Sequence, residues 1–171
     1  ADCREGFAEA TEGSTLMYGS YRAEPQMALI TRATTGEMVI AWNTGAIPES
    51  LNRDTVCFVV MAGMYGQADS GFSFRLFINN VPRFEFVTTT RERWEVAGQG
   101  GGRITFIGVH RDKYGDLFGC LRITLPAAWL KAGEPVRIRA VGEKANHPAW
   151  FMVFQASDVI AYQKELVKNE A

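Results

Sequence analysis

The sequence lacks a strong net charge and a long hydrophobic run. Its 171 residues contain 18 Lys and Arg against 19 Asp and Glu, for a formal net charge of −1. That balance argues against binding of nucleic acid or an anionic membrane through bulk charge. No stretch approaches the roughly 20 consecutive apolar residues of a membrane-spanning helix. We therefore expect no nucleic-acid partner and no membrane span.

Motifs of common enzyme chemistry are also absent. The chain has neither a G-x-x-x-x-G-K-[ST] phosphate loop nor a G-x-S-x-G nucleophile elbow. The two histidines, His110 and His147, lack the spacing of a zinc site. Asp112 and Asp116 bracket a turn, which makes a structural Ca²⁺ there the open alternative to no cofactor. We expect no catalytic residues and no enzyme activity in this domain.

Cysteine is scarce, and the three that occur leave their redox state open. Cys57 and Cys120 lie in apolar, strand-like segments, so each is most simply a small buried side chain. Cys3 lies near the N-terminus and is a thiol, half of a disulfide or a lipid-modified residue. Spacing alone does not fix a pairing.

Aromatic residues and glycine are abundant, with 11 Phe, 5 Tyr, 4 Trp and 17 Gly. This mixture is typical of short strands joined by turns. In segment 71–79, Phe72, Phe74, Leu76 and Ile78 share one face, as in an antiparallel strand with one buried side. Segment 56–61 is apolar on both faces, which predicts a central strand. The predicted strands are 16–22, 26–32, 37–43, 55–62, 72–79, 83–87, 103–110, 117–125, 135–142 and 149–156.

These strands predict an all-β protein, an antiparallel β-sandwich of jelly-roll or Greek-key type. Short helical segments are expected at 125–133, between Pro and Gly signals, and at 157–168, where apolar residues recur at helical spacing. We divide the chain into a lead-in (1–14, loose or one helical turn), the sandwich (15–156) and a C-terminal segment or start of a linker to a further domain (157–171).

Polar aromatic residues in the predicted loops indicate a binding site. A sugar stacks its C–H face on such a ring while its hydroxyls bond to neighbouring charged groups. If the strands alternate up and down, with 88–102 as one loop, the loops sort to two ends of the sandwich. The first end gathers the predicted carbohydrate-binding residues Arg111, Tyr114, Asp116, His147 and Trp150. The opposite end gathers a secondary candidate set, Tyr65, Gln67 and Trp94.

Other readings of the aromatic and basic residues remain open. Trp150 begins an apolar run and is as consistent with the core as with a ligand platform. Trp94 lies in a charged loop, where we expect it to be exposed, with capping of the sandwich end as the alternative. Trp42 and Trp129 are expected in the core. The arginines on outer strand faces are expected to form a solvated face, with a basic platform for an acidic glycan as the alternative. They are Arg75, Arg122, Arg137 and Arg139.

The order of segments resembles the galactose-binding-domain-like β-sandwiches attached to large bacterial glycan-degrading enzymes. It is similar to the domain N-terminal to some α-mannosidase-like glycoside hydrolases of bacterial origin. The similarity covers roughly residues 26–156 and rests on Leu29–Trp42, Thr55–Ala62, Phe74–Asn80, Tyr114–Gly119, Leu125–Val136 and Pro148–Met152.

The resemblance implies a non-catalytic carbohydrate-binding module of a secreted, periplasmic or cell-surface protein. Its partners would be a glycan or polysaccharide and an adjacent catalytic domain, and its signal peptide would not be in this chain. The alternative is a structural or protein-interaction β-sandwich that braces a catalytic domain and has no sugar site of its own.

Overall fold

The computed structural model describes residues 3–19, 25–30, 38–49, 53–65, 72–89, 91–143 and 150–154. The strands are β1 (Arg4–Glu5), β2 (Glu9–Glu12), β3 (Ser14–Gly19), β4 (Pro25–Ile30), β5 (Val39–Asn43), β6 (Thr55–Met64), β7 (Ser73–Ile78), β8 (Val81–Val87), β9 (Arg93–Ala97), β10 (Arg103–Arg111), β11 (Leu117–Pro126), β12 (Arg137–Gly142) and β13 (Phe151–Phe154). A single 3-10 turn, Ala127–Trp129, is the helical structure of this described part. The predicted helix 157–168 lies outside it.

The strands form two sheets, and the prediction of an all-β sandwich is confirmed. The larger sheet has the order β3-β4-β13-β6-β11-β10-β9, with β1 beside β6. The smaller sheet has the order β2-β5-β12-β7-β8. Strand β1 pairs with β6 in parallel, and the other pairings are antiparallel. Strand β6 has neighbours on both edges, as predicted for a segment that is apolar on both faces.

The core lies between the two sheets and follows the predicted alternation. The inward residues of β7 and β12, including Phe74, Leu76 and Ile138, are buried. Trp42 is fully buried as expected. Trp129 is half-buried and packs against the core, with the Arg83 guanidinium 4.0 Å from its ring centre. Burial of this apolar surface is the main stabilising contribution to such a fold.

The outer arginines are only partly a solvated face. Arg75 and Arg137 are exposed as predicted, but Arg122 and Arg139 are half-buried. One carboxylate oxygen of Glu12 lies 3.7 Å from Arg137 Nη2 and 3.3 Å from Arg139 Nε. This contact joins β2 to β12 across β5.

The N-terminal residues are not a lead-in or a helical turn, as the sequence suggested, but contribute strands to both sheets. Strand β1 pairs with β6 and β2 with β5. A disulfide between Cys3 and Cys57 fixes the start of the described chain to β6. The simplest interpretation of Cys57, an unbridged apolar residue, is therefore wrong. Cys120 is buried and outside the disulfide, as predicted.

Tight turns connect the strands that surround the groove described below. Asn79 and Asn80 both have positive φ, 48° and 68°, which is the backbone that a two-residue β7–β8 hairpin needs. The segment 98–102, which falls within the predicted 88–102 loop, is a turn between β9 and β10. It is closed by the Gly98 N–H, which donates to the Gly102 oxygen at 3.1 Å.

Candidate functional site

Strand β9 was missed by the sequence prediction, and it changes which loops lie together. It divides the expected 88–102 loop into two connections at opposite ends of the sandwich. The register pairs Leu117 with Met64 and Phe151 with Met64. Tyr65 therefore lies at the same end as Asp116 and Trp150, and its N–H donates to the Trp150 oxygen at 3.0 Å. The prediction that Tyr65 lies opposite Tyr114 and Trp150 is wrong.

The loop between β10 and β11 is held by its own polar groups. Asp112 Oδ1 accepts from the backbone N–H groups of Tyr114 and Asp116, both at 2.9 Å. Arg111 Nη1 donates to the Gly115 oxygen at 2.9 Å. This small, fixed loop leaves Tyr114 with 60% of its surface exposed. Lys113 Nζ lies 5.0 Å from the centre of the Tyr114 ring, and Asp116 is buried at 8% exposure.

The predicted binding residues are only partly brought together. Arg111, Tyr114, Asp116 and Trp150 share one end of the molecule by the strand register. Trp150 is half-buried, with its ring 6.1 Å from that of Phe118, so it is partly used in packing. His147 and Gln67 lie outside the described residues. Within those residues, no group of three or more His, Cys, Asp or Glu side chains is arranged to hold a metal ion.

A groove of about 400 Å³ lies between β8 and β9, the edge strands of the two sheets. Its volume falls in the range of small-molecule sites, roughly 300–1,000 Å³. The described residues between the two strands that line its rim are Thr88, Thr89 and Arg91. The lining residues are Glu85, Phe86, Val87, Thr88, Thr89, Arg91, Trp94, Glu95 and Val96.

Trp94 forms part of the groove wall and is buried, not exposed as the sequence suggested. Only 8% of its surface is accessible. Its ring stacks against Phe86 at 5.4 Å and against Phe106 at 5.6 Å. The indole Nε1 is buried and has no hydrogen-bond partner. A buried donor of this kind is costly unless an acceptor is supplied.

The polar rim of the groove is partly ordered by the protein. The Thr89 hydroxyl accepts from the Arg91 N–H at 3.2 Å. The Glu95 carboxylate accepts a hydrogen bond from the Thr105 hydroxyl at 3.3 Å. It also lies 3.4 Å from Arg103 Nη1. Glu85 is exposed. Acceptors, a hydroxyl and a guanidinium therefore surround an aromatic wall, which is an arrangement suited to a ligand with many hydroxyl groups.

Sequence reasoning missed Glu85, Thr88 and Thr89 as lining residues because the groove exists only once β9 is recognised. The sequence pattern that indicates β9 spans only 5 residues. Within Arg93–Ala97, Trp94 and Val96 alternate with exposed residues, which is the period of a half-buried strand. Flanking charges hid this alternation inside a segment that was interpreted as a loop.

Comparison of the chain with protein-family models, with curated proteins and with solved structures finds no match in any of the three. The resemblance to galactose-binding-like sandwiches therefore stays a prediction. No helix among the described residues is both long enough and apolar enough to cross a membrane.

Proposed function

We propose that this protein is a non-catalytic carbohydrate-binding domain and that the β8–β9 groove holds the glycan. The observation that carries the proposal is the composition of the groove, in which the Trp94 ring forms part of a wall beside the charged side chains of Glu85, Glu95 and Arg91. An aromatic wall next to carboxylates and a guanidinium suits a sugar, whose C–H face packs on a ring while its hydroxyls form hydrogen bonds.

The remaining lining favours a glycan over an apolar ligand. The carboxylates of Glu85 and Glu95 accept hydrogen bonds from hydroxyls, and the Arg91 guanidinium donates them. The groove is open along the sandwich edge, between two edge strands, so an extended chain can lie in it. Tyr114, exposed on the β10–β11 loop, is a separate platform whose role in binding stays a prediction.

We further propose an exported protein with a catalytic domain as its neighbour, following the family resemblance. The Cys3–Cys57 disulfide supports export, because disulfides persist mainly in oxidising compartments. The galactose-binding-like assignment and the association with a glycoside hydrolase belong to the same proposal.

Trp94→Phe tests the groove directly, because it keeps an aromatic ring between Phe86 and Phe106 and removes only the N–H donor and part of the ring. A polysaccharide array first identifies a ligand, and titration calorimetry then measures its affinity. We expect Trp94→Phe to weaken binding about two- to tenfold, because the smaller ring offers less area to the ligand, a loss of about 0.5–1.5 kcal/mol.

Trp42→Phe is the matched control. The Trp42 indole N–H donates to the Gly6 oxygen at 2.9 Å, so this variant removes a bond that the protein itself satisfies. It should lower stability and leave glycan affinity unchanged.

If Tyr114→Ala abolishes binding while Trp94→Phe does not, the site is the β10–β11 loop and not the groove. If the unmodified protein binds no glycan, the bracing-domain alternative is the better account. Turnover of a glycoside would overturn the non-catalytic assignment.

A further inference from the structure

Strand β9 forms an edge of the larger sheet, and its hydrogen bonds to β10 show which of its peptide groups face outward. The Gly108 N–H donates to the Glu92 oxygen at 2.6 Å, and the bond that closes the β9–β10 turn has the same phase. In an antiparallel pair, hydrogen-bonded residues alternate with residues whose peptide groups point the other way. The peptide groups of Arg93, Glu95 and Ala97 therefore point away from β10. On that side, β9 has no strand neighbour in the described part of the chain.

Strand β9 lacks the features that commonly protect an edge strand from pairing with another chain, which are proline, a β-bulge or a covering segment. Strand β8 contains Pro82 and a register irregularity, and β2 also has an irregularity. The 5 residues of β9 pair with β10 in an unbroken register and include no proline. The side chains of Arg93, Glu95 and Ala97 are exposed, so this edge is open to solvent.

We propose that β9 pairs antiparallel with β9 of a second copy of this chain, so that the larger sheets of the two copies join across a twofold axis. The charges favour one register. With Trp94 opposite Trp94 of the second copy, Arg93 lies opposite Glu95 in both halves of the interface. Opposite charges and aromatic residues directly across an antiparallel pair stabilise it. The twofold axis repeats each contact, so one self-complementary strand is enough to form the interface.

The backbone phase agrees with this register. Arg93 and Glu95 of the two copies are the residues that would exchange N–H and C=O groups, and their peptide groups are the ones that point away from β10. The two neighbouring registers that keep this phase are less favourable. One places Glu95 opposite Glu95 and the other places Arg93 opposite Arg93, and like charges directly opposite each other destabilise a strand pair.

The Glu95 side chain is positioned for this contact by its own chain. It accepts from the Thr105 hydroxyl at 3.3 Å and lies 3.4 Å from Arg103 Nη1. Its relative exposure is nevertheless 53%, and a carboxylate accepts several hydrogen bonds, so a guanidinium of a second copy can reach it as well. Because β9 also lines the β8–β9 groove, a bound glycan and a second copy compete for this strand.

Exchange of the two charges tests the register. Arg93→Glu and Glu95→Arg each place like charges opposite one another, and the double variant Arg93→Glu/Glu95→Arg restores opposite charges. Sedimentation equilibrium of the protein without glycan measures the dissociation constant of the dimer. We expect each single variant to raise this constant at least about tenfold, and the double variant to return it to within about threefold of the unmodified value.

Arg103→Gln is the matched control. It removes the contact that Glu95 makes within its own chain and leaves both charges of β9 in place, so the dissociation constant should stay within about threefold of the unmodified value. Circular dichroism confirms that every variant retains its β-sheet, so that a weaker dimer reports a changed interface and not a denatured chain.

Hydrogen exchange of the unmodified protein needs no variant. The Glu95 N–H points to solvent in the monomer, so we expect its exchange to slow as the protein concentration rises. Three results would overturn the proposal: a chain that stays monomeric up to about 1 mM, a double variant that dimerises as weakly as the single variants, or exchange at Glu95 that does not depend on concentration. All are measured without glycan, so they leave the proposed function of the groove to its own test.

Discussion

At the residue scale, the disulfide is the covalent link between the N-terminal segment and the sandwich. Cys3 and Cys57 are 54 positions apart in sequence, and their Cα atoms are 4.6 Å apart. Beside them, the Gly6 N–H donates to the Val59 oxygen at 2.9 Å. A Cβ on Gly6 would approach the Val60 side chain to 2.8 Å, so glycine permits this close passage. The disulfide and this passage together hold the N-terminal segment along β6.

Removing the disulfide should cost about 2–4 kcal/mol of unfolding free energy, because the unfolded chain loses a long cross-linked loop. The comparison is the double variant Cys3→Ser/Cys57→Ser against the unmodified protein in urea. Reductant should lower the stability of the unmodified protein to that of the double variant and leave the double variant unchanged. No effect of reductant on the unmodified protein would show that the two thiols are not bridged.

The disulfide between Cys3 and Cys57 could not be predicted from the sequence. Cys57 lies in a strand whose apolar pattern correctly predicted a central position. The partner of Cys57 is set by the parallel pairing of β1 with β6, which joins segments far apart in the chain. A two-residue strand such as Arg4–Glu5 carries no periodicity from which this pairing could be predicted.

At the element scale, one short strand decided how much of the site could be predicted. The long strands β6, β10 and β11 follow from their apolar patterns. Strand β9 has two inward residues, Trp94 and Val96, between charged neighbours. Because β9 was overlooked, every later loop was assigned to the wrong end of the sandwich, and Tyr65 was placed opposite Tyr114. The groove could not be predicted for the same reason, since β9 forms one of its walls.

The β10–β11 pair contains a close approach that only glycine allows. Gly108 faces Gly119 at a register irregularity, and a Cβ on Gly119 would overlap the backbone oxygen of Ile107. Gly119→Ala should therefore destabilise the protein by about 1–3 kcal/mol, as overpacking does. Gly45→Ala is the control, because a Cβ at Gly45 meets nothing within 4 Å. Thermal unfolding followed by circular dichroism measures both, and similar melting temperatures would contradict the close approach.

At the scale of the whole molecule, a chain of aromatic rings joins the two sheets next to the groove. Phe74 and Phe86 of the smaller sheet stack at 5.5 Å, and Phe86 stacks on Trp94 of the larger sheet at 5.4 Å. Alternation predicted that Phe74 points inward. Alternation could not predict which ring of one sheet contacts which ring of the other. Those contacts depend on how the two sheets are placed against each other, and the inward and outward pattern of a single strand does not specify that placement.

Phe86 is the central ring of this chain, so its loss should affect the entire fold and the groove together. It is 1% exposed and contacts Phe74, Trp94 and Phe151. Phe86→Leu keeps an apolar side chain, yet we expect a loss of about 1–3 kcal/mol from lost contacts and a partial cavity. Trp94 then loses the ring that holds it in the groove wall, so glycan affinity should fall as well.

Phe77→Leu is the matched control, since Phe77 lies on the outer face of the same sheet, half-buried beneath Arg139. Its loss should cost under about 1 kcal/mol and leave glycan affinity unchanged, because little apolar surface is buried there. Urea unfolding followed by both tryptophan fluorescence and far-ultraviolet circular dichroism measures the two variants. Coincident transitions are expected, because rings from both sheets share one core. Equal costs for Phe86→Leu and Phe77→Leu would show that the ring chain does not couple the sheets, and the groove wall would then owe its rigidity to β9 alone.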